Sequence, residues 1–358
     1  MGKLMGQDAP AYTQLQSGDH VFITGASGFL GRHLMRVLRH SAIIITATHL
    51  PGEAPPAPFP FDDATSAGAG RNKKESSTTQ HGATTSATVD WVSLDITDHQ
   101  ATRTLLHERR PDIIIHLAAT TGSERSYTQA GTAVRVNFDA TNNLMIAAGE
   151  MPTPVRRLVL IGTAEEYGNA EELPITEDAP IRPVSPYSAS KAATTQFAQL
   201  YHTLFALPVV ILRPFIVYGP GQPASMMLPQ LIAHILRSED FPMTPGEQTR
   251  DFVYVDDVIE AIVLAATHPR ADGEVFNICS GKEHSIRSIA ERMLQLMHAD
   301  IQLRTDALPY RPNEAMRLFG SNEKARTLLD WQPRVGLDEG LQRSIAWYRS
   351  LHASTQNI

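Results

Sequence analysis

Tyr187-Ser188-Ala189-Ser190-Lys191 sets a phenol four residues before an ammonium. Ser185-Pro186 reads as a helix cap and first helical residue, so the two side chains fall one turn apart on one face. A cation beside a phenol favours phenolate. It is expected to draw a pKa near 10 toward neutrality and make Tyr187 an acid or base at a carbonyl oxygen. Of nine tyrosines, only this one has lysine four residues on. Such chemistry also needs a hydroxyl to hold the oxygen. Leu160-Ile161-Gly162-Thr163 ends in one, with Glu165 two residues beyond.

Ketone reduction further needs a hydride source. Val21-Phe22-Ile23-Thr24 runs straight into Gly25-Ala26-Ser27-Gly28-Phe29-Leu30-Gly31. The pyrophosphate of a dinucleotide needs a turn free of side chains, so that backbone N–H groups and the positive end of a helix can reach it. Gly25 supplies the turn, Gly28 admits the phosphate, and Gly31 lets the helix press against the strand. NAD or NADP is the implied cofactor.

These residues need a frame. Short β-branched runs at His20–Thr24, Ala42–Thr48, Trp91–Leu94, Ile113–Leu117, Leu158–Gly162 and Val209–Arg213 predict buried strands. Helical patterns at Phe29–Arg39, Gln100–Glu108, Tyr127–Gly149 and Pro186–Phe205 lie between them. This alternation predicts an α/β fold: a Rossmann doubly wound parallel sheet covered on both faces. Residues 51–89, with five prolines and little aliphatic content, read as a flexible insertion. After Gly219 the alternation fades, and a smaller C-terminal substrate-binding lobe is expected, including a helix at Ile286–Met297. The expected division is a tail over 1–18, the dinucleotide-binding domain over 19–218 and 252–280, and the lobe over 219–251 and 281–350.

Composition narrows the class. The chain has 358 residues, 42% apolar and 19% charged, which is ordinary globular composition. With 31 basic and 38 acidic residues, the net charge of −7 offers no basic field for nucleic acid or an acidic membrane. One cysteine, Cys279, excludes an intramolecular disulfide and a Cys-rich zinc site, and fits a reducing, cytoplasmic setting. The opening residues lack the apolar core of a secretory signal, and Gly6 stands where a myristoylation signal wants Ser or Thr. No stretch reaches the ~20 apolar residues of a spanning helix, so no membrane segment is expected; no metal is expected either.

Thr24 to Gly31 spells Thr-Gly-x-x-Gly-Phe-x-Gly. With Thr163, Tyr187 and Lys191, the chain resembles the extended short-chain dehydrogenase/reductases, the NAD-dependent epimerase/dehydratase family that acts on nucleotide sugars. The resemblance covers roughly residues 19–350. It implies cofactor contacts from Gly25, Ser27, Gly28, Phe29, Leu30, Gly31, His49, Asp95, Ile96, Leu117, Ala118, Ala119, Pro214, Tyr187 and Lys191. Asp95 resembles the residue that bonds the adenine amine, and His116-Leu117-Ala118-Ala119 the strand that lines the cofactor. The second strand ends Thr46-Ala47-Thr48-His49 without the acid that would reject a 2′-phosphate, which tilts the expectation toward NADP, with Arg32 or His49 near that phosphate.

The same resemblance implies catalytic roles for Thr163, Tyr187, Lys191 and Glu165. Arg250 and Arg311 match the arginines that reach a sugar nucleotide's diphosphate; planar guanidinium forks suit that task. Asn277 and Gln222 are expected to border the sugar. Ala164 stands where thymidine-type dehydratases carry an acid, so the Gly-Thr-Ala-Glu-Glu-Tyr-Gly run looks most like the 4-keto-6-deoxyhexose reductases. Phe215 to Gln222 and Phe252 to Asp257 read closer to the 4-epimerases, and Glu165 keeps a Thr-Ser-Glu-type dehydratase or decarboxylase open. A dinucleotide sensor without turnover is the rival from another class. A nucleotide-diphosphate sugar is the expected partner, and a homodimer through the helices Tyr127–Gly149 and Pro186–Phe205 the expected assembly.

Overall fold

A computed structural model describes residues 15–56, 86–121 and 126–356. Most of the proposed tail and of the 51–89 insertion therefore lies outside the described residues. Seven parallel strands form one sheet: β1 (His20–Thr24), β2 (Ile44–His49), β3 (Thr88–Ser93), β4 (Ile113–His116), β5 (Arg157–Ile161), β6 (Val209–Pro214) and an edge strand, Val275–Ile278. The spatial order is edge strand, β6, β5, β4, β1, β2, β3. β3 begins inside the stretch read as insertion, because Thr88–Ser93 pairs along the whole of β2.

Side chains alternate between two helical layers, as period 2 requires. Val21, Ile23, Ile113, Ile115, Val159, Val210 and Leu212 face α1 (Phe29–Leu38) and α7 (Val255–Thr267) in one core. Phe22, Ile114, Leu158, Leu160, Val209 and Ile211 face α2 (His99–Arg109), α4 (Ala140–Gly149) and α5 (Pro186–Phe205) in the other. Leu34 and Leu38 of α1 are fully buried. Each such side chain contributes about 1.5–3 kcal/mol.

The helix expected over Tyr127–Gly149 is interrupted. After α3 (Tyr127–Ala133), a π-helical segment at Val134–Asp139 precedes α4. Asn137 in that segment is fully buried and reaches across to other elements. Its Oδ1 accepts from Thr120 N at 2.8 Å, and its Nδ2 donates to Thr120 O and Ser190 Oγ.

Beyond Tyr218 the chain builds α6 (Met227–Leu236), α8 (Ile286–Met297), α9 (Glu323–Leu328) and α10 (Leu337–Gln356) around short strand pairs. Thr249–Arg250 lies between antiparallel His284–Ser285 and parallel Arg317–Leu318. α7 and the edge strand then return the chain to the large sheet. Among the described residues, no helix is long and apolar enough to cross a membrane.

Candidate active site

β1 and β4 are neighbours, while their following strands run to opposite sides, so the order of the sheet reverses between them. A crevice opens there at the carboxyl ends of the strands. Thr24 and His116 stand opposite each other at that end.

Gly25 follows β1 with φ +68°, and a Cβ there would lie 2.6 Å from Ala118 N. Only glycine lets β1 turn so close to β4. α1 starts at Phe29 with Gly28 as its cap and no side chain bonded over its first N–H groups. Gly31 brings α1 onto Gly25 and Ala26. This cradle fits a dinucleotide pyrophosphate by shape and by the helix's positive end. Leu117 N donates to Thr24 O, and Ala118 N to Thr24 Oγ1, so Leu117–Ala119 borders the same crevice.

Other expected cofactor residues sit around it. Ser27 and Leu30 are half-buried beside the cradle. Ile96 is buried, whereas Asp95 is exposed and its Oδ1 accepts from Thr97 N and Oγ1. His49 ends β2, its Nδ1 against Leu50 O and its ring tilted toward Trp91. Arg32 is half-buried on α1, where burial lowers its pKa. Pro214 closes β6 and is buried. His116 itself is internal: its ring nitrogens meet Thr24 Oγ1 at 2.7 Å and Thr141 Oγ1 at 2.8 Å. Burial and the Lys191 charge hold its pKa at about 3.

α5 presents the tyrosine and lysine. Ser185 caps it, with reciprocal bonds between Ser185 and Ser188, and Pro186 opens the first turn. Thr163, just past β5, ends a strand and caps a short 3₁₀ turn, Ala164–Tyr167; its Oγ1 accepts from Glu165 N. The Thr163 hydroxyl faces the Tyr187 phenol and favours its ionised form. Burial and the Glu165 and Glu166 charges outweigh that contact, so the Tyr187 pKa lies well above 10.

That corrects the expectation of an acidified phenol. Lys191 is buried, and its Nζ donates to Ile161 O at 2.8 Å. Burial lowers its own pKa to about 8, against an upward pull from Glu166. Its ammonium is engaged by the end of β5.

From the lobe, Arg250 Nη1 donates to Thr249 O and Ala315 O, and Nη2 pairs with Glu314. Arg250 lies within electrostatic reach of Glu165 and of Arg311, which is exposed. The two arginines are thus together, and near the acid beside Tyr187. One expectation fails. Asn277 is fully buried, its Oδ1 taking the Tyr167 hydroxyl at 2.7 Å and its Nδ2 donating to Ile175 O, so it supports the site from beneath and does not face a sugar. Gln222 is buried too, its amide donating to Val217 O.

Two supports were not singled out from sequence. Asn137 links the loop after β4 to Ser190, whose Oγ donates to Tyr187 O at 2.7 Å. The pair Glu166–Arg213 lies under Thr163. A polar residue within an apolar helical stripe, and an arginine inside a β-branched strand, were the available signals.

Comparison with known proteins adds a second line of observation. A model of the NAD dependent epimerase/dehydratase family matches residues 21–279. The dTDP-D-glucose 4,6-dehydratase of Homo sapiens is 31% identical over 274 residues, 75% of this chain and 77% of that protein. The UDP-glucose 4-epimerase of Mycolicibacterium smegmatis is 30% identical over 334 residues, 92% of this chain and 98% of that protein. Among solved structures, UDP-glucuronic acid 4-epimerase from Bacillus cereus, in complex with UDP-glucuronic acid and NAD, matches with a TM-score of 0.77. It is 28% identical, covering 93% of this chain and 99% of that one.

Proposed function

The chain belongs to the NAD dependent epimerase/dehydratase family, and from that premise we propose that it is an NAD(H)-dependent nucleotide-sugar oxidoreductase acting at hexose C4, in the direction of 4-keto reduction. The observations that support the reading are the contact of Thr163 with Tyr187 and the seating of Lys191 on the end of β5, near His116 of β4. When bound, the reduced nicotinamide supplies hydride. Thr163 donates a hydrogen bond to the 4-keto oxygen and holds it before Tyr187. Tyr187 then gives its proton to that oxygen. Its high pKa keeps it protonated at neutral pH, the state from which a reduction starts. Lys191 braces the end of β5 and would hydrogen-bond the nicotinamide ribose of a bound cofactor. Glu165 borders the same space, and Arg250 and Arg311 hold the diphosphate.

NAD is favoured over NADP by the family's description and by the NAD complex of the Bacillus cereus relative. The acid-free end of β2 makes NADPH a necessary control. The lobe after Tyr218 binds substrate in this reading, and a single buried cysteine fits a cytoplasmic enzyme. A homodimer is proposed through α4 and α5, whose Phe197, Leu200, Leu204 and Phe205 are 38%, 46%, 61% and 71% exposed. Leu204→Glu should convert it to a monomer by light scattering.

A second reading, 4-epimerisation with held NAD, is favoured by the end-to-end match to the Mycolicibacterium smegmatis epimerase. Dehydration is less favoured, since Ala164 stands at the position where thymidine-type dehydratases carry their acid, while Glu165 follows it and Glu166 is bound to Arg213. The test offers NADH or NADPH with UDP-, GDP-, CDP- and dTDP-4-keto-6-deoxyhexoses, and the matching 4-hydroxy sugars without added cofactor. Stoichiometric cofactor consumption, abolished by Tyr187→Phe, is the expected result. Interconversion of C4 epimers without net consumption would overturn the reductase reading.

A further inference from the structure

We infer that Glu166, held by Arg213, is a positioning residue for the C4 reaction: its carboxylate fixes the Thr163 backbone and sets the local charge around Tyr187 and Lys191. This rests on the oxidoreductase reading above, and deepens it by naming a group that touches neither sugar nor cofactor.

Glu166 is 0% exposed and Arg213 3%. Glu166 Oε1 accepts the Thr163 N–H at 3.0 Å, and Oε2 accepts Arg213 Nε at 2.9 Å. Arg213 Nη1 donates to the Tyr167 hydroxyl at 2.8 Å, which donates to Asn277. The carboxylate is therefore bonded on both oxygens, one toward the site and one toward the core. Gly162 makes room for it, since a Cβ there would run into Glu166 Oε1.

The end of β5 is thus gripped at two neighbouring polar groups. Lys191 of α5 holds the Ile161 carbonyl, and Glu166 holds the Thr163 N–H. The Thr163 backbone is thus held in place, and its hydroxyl, which accepts from Glu165 N, faces Tyr187. A shift of about 1 Å at such a group costs on the order of 100-fold in rate.

The charges follow the same geometry. Glu166 meets Arg213 from β6, Lys191 and Tyr187 from α5, Glu165 and Tyr167 from its own turn, and Glu177 across Arg213 and Tyr167. Arg213 offsets the carboxylate on the core side. On the site side the carboxylate opposes ionisation of Tyr187 and keeps Lys191 charged. A buried ion pair is a poor device for stability alone, since apolar replacements of similar volume are often neutral. Here the pair supplies a hydrogen-bond acceptor and a charge that an apolar pair cannot.

The test compares the full-length wild type, Glu166→Gln and the double variant Glu166→Leu/Arg213→Met. The double variant avoids stranding Arg213 without its partner. Carbon-13-labelled lysine gives six side-chain signals to titrate by NMR, that of Lys191 being identified by its loss in Lys191→Met. In the folded double variant, the Lys191 midpoint is expected to fall from about 8 to below about 7.5. Turnover should fall at least about tenfold with KM changed less than about threefold. Glu166→Gln keeps an acceptor for Thr163 but no charge. It should recover part of kcat while leaving the Lys191 midpoint low.

An unmoved midpoint and kcat within about twofold of wild type, in a double variant that melts cooperatively, would overturn the proposal alone. No turnover by the wild type with any nucleotide sugar, but a moved midpoint, would overturn the oxidoreductase reading and leave the electrostatic role standing.

Discussion

Replacing Lys191 by methionine should abolish turnover and stabilise the cofactor-free fold. Lys191 is 5% exposed, and burial brings its pKa from 10.5 to about 8. The difference corresponds to roughly 3 kcal/mol of instability, because the folded chain holds a charge that water holds more cheaply. The sign is that of a cation with a depressed pKa. The penalty is complete below pH 8, is relieved as pH rises from 8 toward 10.5, and is absent above that. Methionine has similar reach and no charge. It forfeits the bond to Ile161 O and leaves that carbonyl unsatisfied, at about 1–2 kcal/mol. The net gain is then about 1–2 kcal/mol, or roughly 2 °C in Tm for a chain of this size. Thermal melts without cofactor at pH 6.5, 8 and 9.5 provide the measurement. The variant should melt higher at pH 6.5, and the gap should narrow steadily toward pH 9.5. A variant that melts lower at pH 6.5, or a gap independent of pH, would refute the account of Lys191 as a charge held at a cost to stability.

Gly25→Ala places a Cβ 2.6 Å from Ala118 N at φ +68°, so NAD affinity measured calorimetrically should fall more than about tenfold, with about 1–3 kcal/mol of stability lost. Gly131→Ala is the contrasting case, a helical glycine with nothing within 4 Å of an added Cβ; denaturant unfolding should show a gain of about 0.5–1 kcal/mol. Asn137→Ala leaves the Thr120 N–H and carbonyl without their partners. It should destabilise by roughly 2–4 kcal/mol and lower kcat more than it raises KM.

The parts of the fold that local chemistry decides were readable in the chain. Ser185-Pro186 marks a helix start through capping and a missing N–H, and α5 does run Pro186–Phe205. The glycine turn after β1 follows from steric need, and the strand runs follow from burial on two faces. What escaped depends on partners distant in sequence. The π-helical segment carries Asn137, whose amide bonds residues 17 and 53 positions away, which no helical periodicity registers. Asn277 reads as a sugar ligand until Tyr167 and Ile175 take its amide. The Tyr187–Lys191 spacing was legible, but the direction of the tyrosine's shift was not. That direction is decided by burial and by Glu165 and Glu166, whose facing positions come from the turn after β5.

The strand that closes the large sheet, Val275–Ile278, comes late in the chain and lies alongside Ile211–Pro214. A nascent polypeptide halted near residue 220 would have six of the seven strands and an open row of amides along β6. Such an edge invites pairing with another chain. Synthesis must run through the first part of the lobe before the sheet can finish. A chain cut near residue 220 would therefore leave β6 as an open edge, and such a fragment is expected to aggregate.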